Sequence, residues 1–186
     1  MNISTALFTE KPDCTNRVSA ETAAYDLLDS LGIAYTGCDH DPADTIELCL
    51  EVEKVLGVGI CKNLFLCNQQ HTKFHLLLMP GDKKFKTKDF SKQIGSSRLS
   101  FADEEHMTEY LGLQPGSVSV LGLMNDKEKQ VSLSIDKDLL ESEFIGCHPC
   151  KNTSTLKIKT KDILDILLPH LGIAPMLVDL PRYEDI

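Results

Sequence analysis

No stretch of the 186-residue chain approaches the roughly 18 to 20 consecutive apolar residues that a membrane-spanning helix needs, so no membrane partner is expected. The start, Met1-Asn2-Ile3-Ser4-Thr5, lacks the basic and then apolar blocks of a secretory leader, and a cytoplasmic location is the expectation that follows. Gly-x-x-x-x-Gly-Lys-Ser/Thr, Gly-x-Gly-x-x-Gly and Gly-x-Ser-x-Gly are all missing, which removes the usual supports for mononucleotide binding, dinucleotide binding and serine hydrolysis. Internal repeats, low-complexity tracts and Gly/Pro/Ser-rich linkers are missing too, so one core is expected at this length. The seven cysteines are odd in number and scattered, several inside apolar runs, which argues against a disulfide framework.

What is present reads as globular: 42% of residues are hydrophobic and 25% charged. A net charge of −9 opposes a generic nucleic-acid binder, because backbone binding depends on clustered Lys and Arg. The average hides a segregation, however. Lys83 to Arg98 carries six basic residues and one acid, and Lys151 to Lys161 carries four basic residues and none, leaving −18 for the rest. Such a division lets one face meet a polyanion, although two solvated Lys-rich segments would look the same.

Apolar spacing predicts a helix over Ala20 to Leu31, capped by Ser19 and stopped by Gly32, then a strand to Cys38. Asp44-Thr45-Ile46-Glu47 resembles a capping box, opening a helix that turns Ile46, Cys49, Val52 and Leu56 inward. Strands over Ile60 to Cys67 and Lys73 to Met79 flank the turn Asn68-Gln69-Gln70, a hairpin pattern. Helices around Asp89 to Ile94 and Asp103 to Leu111 follow, then strands over Ser117 to Leu123, Val131 to Ile135, Phe144 to Cys147 and Thr155 to Ile158. Thr160 is placed to cap a last helix with Ile163, Ile166 and Leu167 inward, and Met176-Leu177-Val178 to close an edge. The fold class expected is α+β (α/β), a mixed, largely antiparallel sheet with surrounding helices. Residues 1–18 read as an extension with little to order them, 19–180 as the domain, and 181–186 as a tail.

Several residues stand out chemically. The strand period puts Lys62 on the face of Leu64 and Leu66, and Asn63 on that of Phe65 and Cys67. An unpartnered buried ammonium is costly, so Lys62 must emerge into water or enter a polar cleft. Cys147-His148-Pro149-Cys150 could be a thiol redox pair or part of a zinc site, but no helix opens after it and no second ligand pair exists. The other histidines show no metal spacing, and no metal is expected. In Leu111-Gly112-Leu113-Gln114-Pro115-Gly116-Ser117, the backbone N–H groups of Gly116 and Ser117 could face an anion or an oxyanion.

Taken in order, Lys62-Asn63-Leu64-Phe65-Leu66, Leu111-Gly112-x-x-Pro115-Gly116-Ser117-Val118, Leu123-x-Asn125-Asp126 and His148-Pro149-x-x-Asn152-x-x-Thr155 resemble the trans-acting prolyl-tRNA editing proteins. The pattern is most similar to the alanyl-specific members, relatives of the insertion domain of bacterial prolyl-tRNA synthetase and of the YbaK proteins. The resemblance runs from about Ala20 to Leu180 and includes the ending Leu171-Gly172-Ile173-x-Pro175-Met176-Leu177-Val178-Asp179. It implies a YbaK-like fold, no cofactor, and hydrolysis of Ala-tRNA(Pro), with the tRNA(Pro) acceptor end and prolyl-tRNA synthetase as partners. It further implies that Lys62 engages the terminal adenosine or its phosphate, that Asn63 and His148 position the aminoacyl end, and that the Gly116-Ser117 turn holds the carbonyl oxygen. Asn152, Lys83, Lys84, Lys86 and Lys88 become candidate substrate contacts. The chain departs from the pattern at Val120, where many relatives carry proline, and in the cysteines that flank His148. Deacylation of another small group such as Cys-tRNA(Pro), a non-catalytic tRNA- or synthetase-binding module, and a cysteine redox protein stay open beside it.

Overall fold

In the computed structural model, residues 2–43 and 45–183 are described, Ile46 by its backbone alone. The order is α1 (Ser19–Ser30), β1 (Tyr35–Asp39), α2 (Ile46–Leu56), β2 (Lys62–Asn68), β3 (Phe74–Met79), α3 (Thr87–Gln93), β4 (Leu99–Phe101), α4 (Glu104–Leu111), β5 (Val131–Asp136), α5 (Lys137–Leu140), β6 (Phe144–Cys147), β7 (Ser154–Lys159), α6 and β8 (Met176–Val178). Helix α6 runs from Thr160–Asp162 through a π turn, Ile163–Leu167, to Leu168–His170.

Two sheets result. One has five strands in the order β4-β2-β3-β5-β8, the other three in the order β1-β7-β6. The β2–β3 hairpin is antiparallel, with Lys62 opposite Met79, whereas β3–β5 and β5–β8 are parallel. The mixed architecture expected from hairpins and early helix–strand alternation is therefore present. The largest core lies between the sheets and joins Tyr25 and Leu28 of α1, Phe65 and Leu76 of the larger sheet, and Leu156 and Ile158 of the smaller. Leu66, Leu77 and Phe90 form a second cluster on the outer face of the larger sheet, so β2 is covered on both sides, as its unbroken apolar run requires.

Local differences from the sequence reading have identifiable causes. Ser19 lies inside α1, with Val18 at the cap position and no side-chain bond there. Thr45 caps α2 by accepting from the Leu48 N–H, while Asp44 lies outside the described residues. Leu48, Val52 and Leu56 form the buried line of α2. Ile166 is turned outward by the π turn, and Leu168 is buried after Leu167 instead. The strand expected over Ser117 to Leu123 is absent: Val120–Asn125 is a 3-10 helix. The polar members of that alternation, Ser117 and Ser119, are themselves buried, and the Ser119 hydroxyl accepts from the Leu121 N–H. The pattern thus marks a segment buried on both sides rather than a half-wet strand. Within residues 2–18, read as an extension, Ser4 and Phe8 bond to β1: the Ser4 N–H donates to the Asp39 carbonyl at 2.8 Å, and Phe8 and Gly37 exchange backbone hydrogen bonds of 3.0 and 2.7 Å.

Lys83 corrects an expectation of consequence. Its basic run suggests an RNA contact, yet its ammonium is 1% exposed and lies 2.8 Å from Asp136 Oδ2 and 3.1 Å from Asp138 Oδ2. An ammonium so enclosed and so paired cannot reach an external phosphate. It pins the loop after β3 to the end of β5. Removing one partner of a buried pair strands the other charge. Lys83→Met is therefore expected to cost about 3–5 kcal/mol in urea unfolding, and Lys83→Met/Asp136→Leu to recover part of that loss. A single variant as stable as the parent would contradict the ion pair's role.

Candidate active site

The two sheets meet at a backbone clamp. The Cys61 N–H donates to the Gly146 carbonyl at 2.9 Å, and the Gly146 N–H donates to the Gly59 carbonyl at 3.0 Å. A Cβ on Gly146 would lie 2.9 Å from that Gly59 oxygen, so glycine alone permits the approach. Just past the clamp on one chain come Lys62 and Asn63, and on the other His148. With Gly116 they line a single cleft of about 830 Å³. Its walls are largely apolar, including Leu50, Ile60, Val118, Leu139 and Phe144. That size suits a ligand of several hundred daltons.

Lys62 is half-buried, and its Nζ donates to the Lys83 carbonyl at 2.8 Å. An ammonium has three donors, so two N–H groups remain for a ligand. Asn63 donates from Nδ2 to the Cys61 carbonyl at 3.3 Å, while its buried Oδ1 has no hydrogen-bond partner. An orphaned acceptor beside a cleft is a ready place for a ligand's N–H.

His148 is buried, and its Nδ1 lies 2.8 Å from the Ser154 carbonyl. A carbonyl only accepts, so Nδ1 carries the proton and Nε2 the unshared pair. Burial lowers the His148 pKa below its usual 6.5, against the opposing effect of that carbonyl bond, and the ring is neutral at pH 7. Behind it, the Thr155 hydroxyl lies 3.3 Å from His148 Nδ1 and 2.8 Å from His40 Nε2, and His40 Nδ1 lies 2.8 Å from the Asp41 carbonyl. This chain fixes the plane of the imidazole. Ser154 is held in turn: its hydroxyl lies 2.9 Å from Glu21 Oε1 and 2.6 Å from Asp39 Oδ1, both carboxylates being paired with Arg17. Burial pushes the Asp39 pKa up, but the Arg17 and Ser154 hydrogen bonds prevail and hold it below its ordinary value.

The Gly-Ser turn divides its roles. Gly116, at φ +81°, lines the cleft. Ser117 faces inward: its N–H donates to the Gln114 carbonyl at 3.0 Å and its hydroxyl accepts from the Asn152 N–H at 3.3 Å. The N–H of Ser117 is thus engaged within the turn rather than offered to an oxyanion. Asn152, read as a substrate contact, is buried and outside the cleft lining. Its backbone ties the loop after His148 to the Gly-Ser turn and, through its carbonyl, to the Ala43 N–H at 2.9 Å. Lys84, Lys86 and Lys88 are exposed, and the last two line a shallower depression beside the cleft. The second basic run is less continuous: Lys157 donates to the carbonyls of Leu56 and Gly57 at the end of α2.

The cysteine motif is buried as well. Burial raises the Cys147 thiol well above its ordinary value and pushes Cys150 up to about 12, which keeps both protonated and poorly reactive. One grouping escaped the sequence spacing. His71, Asp103 and His106 bring their ligand atoms within 4.8 Å of one another at the surface, where Asp103 also caps α4. The hairpin turn folds His71 over α4, a contact no linear spacing reveals. Among the described residues no helix is long and apolar enough to cross a membrane.

The chain matches the aminoacyl-tRNA editing domain. A sequence model of that family matches residues 40–166, and the chain belongs to the family. Editing is hydrolysis of the aminoacyl ester, so the class is aminoacyl-tRNA deacylase. The chain is 34% identical to the prolyl-tRNA editing protein ProX of Acetoanaerobium sticklandii, over 81% of this chain and 92% of that one. It is 30% identical to the prolyl-tRNA synthetase associated domain-containing protein 1 of Mus musculus, over 82% and 91%. A solved structure assigned as a candidate trans-editing enzyme for prolyl tRNA synthetase superposes with a TM-score of 0.66 at 17% identity, over 89% and 99%, which supports the fold.

The depressed His148 pKa has a defined sign in stability. Below the ordinary 6.5 an unfolded chain takes up a proton that the folded imidazole refuses, so this site loses stability as pH falls through that value. The His148 imidazole resonance is expected to titrate with a midpoint below 6.5, and His148→Gln to flatten the fall in urea midpoint between pH 7 and 5.5. A midpoint at or above 6.5 would contradict the buried, carbonyl-bound ring.

Proposed function

We infer that the chain hydrolyses mischarged tRNA(Pro) in trans, with alanine as the aminoacyl group removed, beside prolyl-tRNA synthetase in the cytoplasm. The observation that carries this reading is the meeting of Lys62, Asn63, Gly116 and His148, from three distant stretches, on one cleft roomy enough for an aminoacylated adenosine. The names of the ProX and synthetase-associated relatives support the choice of tRNA. The need for such an enzyme is physical, because a missing methylene changes binding by only about 1–3 kcal/mol and a synthetase for proline cannot fully reject alanine.

An aminoacyl ester is already reactive, so placing water and stabilising charge suffice. Water adds its oxygen to the carbonyl carbon, the bond from that carbon to the ribose oxygen breaks, and the ribose oxygen leaves with the electron pair and takes up a proton. In this scheme the neutral Nε2 of His148 orients the aminoacyl end, and a ribose hydroxyl of the substrate helps carry the proton. Lys62 holds the terminal adenosine or its phosphate with the N–H groups that the Lys83 carbonyl leaves over. The unpartnered Asn63 Oδ1 accepts from the substrate's α-ammonium, and Gly116 lies where the carbonyl oxygen develops charge.

Separately labelled Ala-, Cys-, Ser- and Pro-tRNA(Pro) distinguish the possibilities. Loss of label from the alanyl ester alone is expected. Loss from the cysteinyl ester instead would move the specificity, and no loss from any would leave a binding module. Lys62→Ala is expected to lower kcat/KM on the order of 100-fold with Tm within a degree or two. The Lys62 side chain is only half-buried and its partner is a backbone carbonyl at the cleft, which water can satisfy in its place. A large fall in Tm matching the loss of activity would overturn that assignment.

A further inference from the structure

Beside the cleft lies a shallower depression of about 480 Å³ that shares Lys62 with it and carries Lys86 and Lys88, two of the candidate substrate contacts. Two phenylalanines form it. Phe101, on the short edge strand β4, is 61% exposed, and its ring centroid lies 6.2 Å from that of Phe85 at an interplanar angle of 64°. A large apolar ring left in water beside a site calls for a partner, and Phe101 is such a ring, with the partly buried Phe85 backing it from the outer core. Lys86 and Lys88 rim the same depression, both exposed, Lys86 with its Nζ 3.5 Å from the centroid of the Tyr183 ring and Lys88 beside it. Lys62 and Leu64 line both cavities, so the depression continues directly from the side of the cleft where Lys62 stands.

Aromatic faces bordered by ammonium groups are the chemistry that recognises single-stranded nucleic acid: rings stack on bases and cations follow the phosphates. A charge-bearing protein partner would not need the rings, and an apolar protein partner would not need the lysines. We propose that this depression receives the unpaired cytidines that precede the terminal adenosine of the tRNA, one base stacking on Phe101, with Lys86 and Lys88 on the adjoining phosphates. The inference rests on the deacylase reading and extends it by giving the rest of the single-stranded end a place. Because every tRNA carries the same terminal sequence, this contact adds affinity without identity, and any choice among tRNAs is made elsewhere.

The quantity to measure is the gain in kcat/KM that a C-C-A trinucleotide carrying a 3′-alanyl ester shows over 3′-alanyl-adenosine. Wild type is expected to show such a gain. Phe101→Ala is expected to remove most of it, roughly 5- to 100-fold, while Phe101→Tyr, which keeps the ring, retains it. Direct binding of unesterified C-C-A, followed by NMR shifts of the trinucleotide's own base protons, is expected to weaken in parallel in Phe101→Ala. No gain in wild type, or a gain intact in Phe101→Ala, would overturn the proposal. A change in sedimentation of Phe101→Ala with C-C-A binding untouched would make the surface a protein interface and also overturn it. If no ester is hydrolysed at all, the deacylase reading fails, and the binding measurement still decides the platform by itself.

Discussion

Two backbone hydrogen bonds between Gly146 and the stretch Gly59 to Cys61 hold the site together. Each sheet carries only part of the candidate site: Lys62 and Asn63 begin β2, and His148 follows the end of β6. Without the clamp these groups would sit on separate layers whose relative position side-chain packing alone would set. Packing of apolar surface is non-directional, whereas a pair of N–H to carbonyl bonds at 2.9 and 3.0 Å fixes distance and register together. The site is therefore built on backbone rather than on side-chain contacts, which suits groups that must be placed to within a fraction of an ångström.

Around that clamp, Lys62 and His148 are each steadied through ion pairs set behind them. On one side Lys83, enclosed between Asp136 and Asp138, holds the loop whose carbonyl receives Lys62. Because β3 and β5 run parallel while β2 runs against β3, the ends of β3 and β5 and the start of β2 all fall at one edge of the sheet. The ion pair joins that edge where the cleft opens. On the other side Arg17 gathers Glu21 and Asp39 around Ser154, whose carbonyl orients His148. The Lys83–Asp136 pair is buried and the Arg17 group only partly so, and both restrict geometry more than they add net stability.

How much of this could be read from the chain depended on whether the signal was local. The β2–β3 hairpin was legible because apolar runs flank a polar turn, and Lys62 and Asn63 stood out because polar residues opened an apolar strand. Lys83 was misread because a buried lysine and a surface lysine look alike until the partner is known, and Asp136 and Asp138 lie more than fifty residues away. Ser117, expected to help hold the carbonyl oxygen, and Asn152, expected to contact substrate, make contacts that brace the Gly-Ser turn against the loop after His148, and neither lines the cleft. The meeting of residues 62, 116 and 148 has no local signature at all. Only the family resemblance, which carries fold information that periodicity does not, brought them together in advance.

The cysteines around the cleft bear on why water can serve as the nucleophile. Cys61 lines the cleft, and burial pushes its thiol up to about 12, which keeps it protonated at pH 7. Cys147, buried behind the same clamp, is shifted in the same direction. A thiolate beside an aminoacyl ester would attack it and trap the aminoacyl group as a thioester, turning an editing site into a covalent dead end unless water then released it. Holding these thiols neutral removes the competing nucleophile while keeping their small, polarisable bulk as packing. The apolar surroundings that silence the sulfur also lower the pKa of His148 and leave its Nε2 able to accept a hydrogen bond. One physical cause, exclusion of water from the region behind the cleft, thus accounts both for the neutral thiols and for the neutral imidazole.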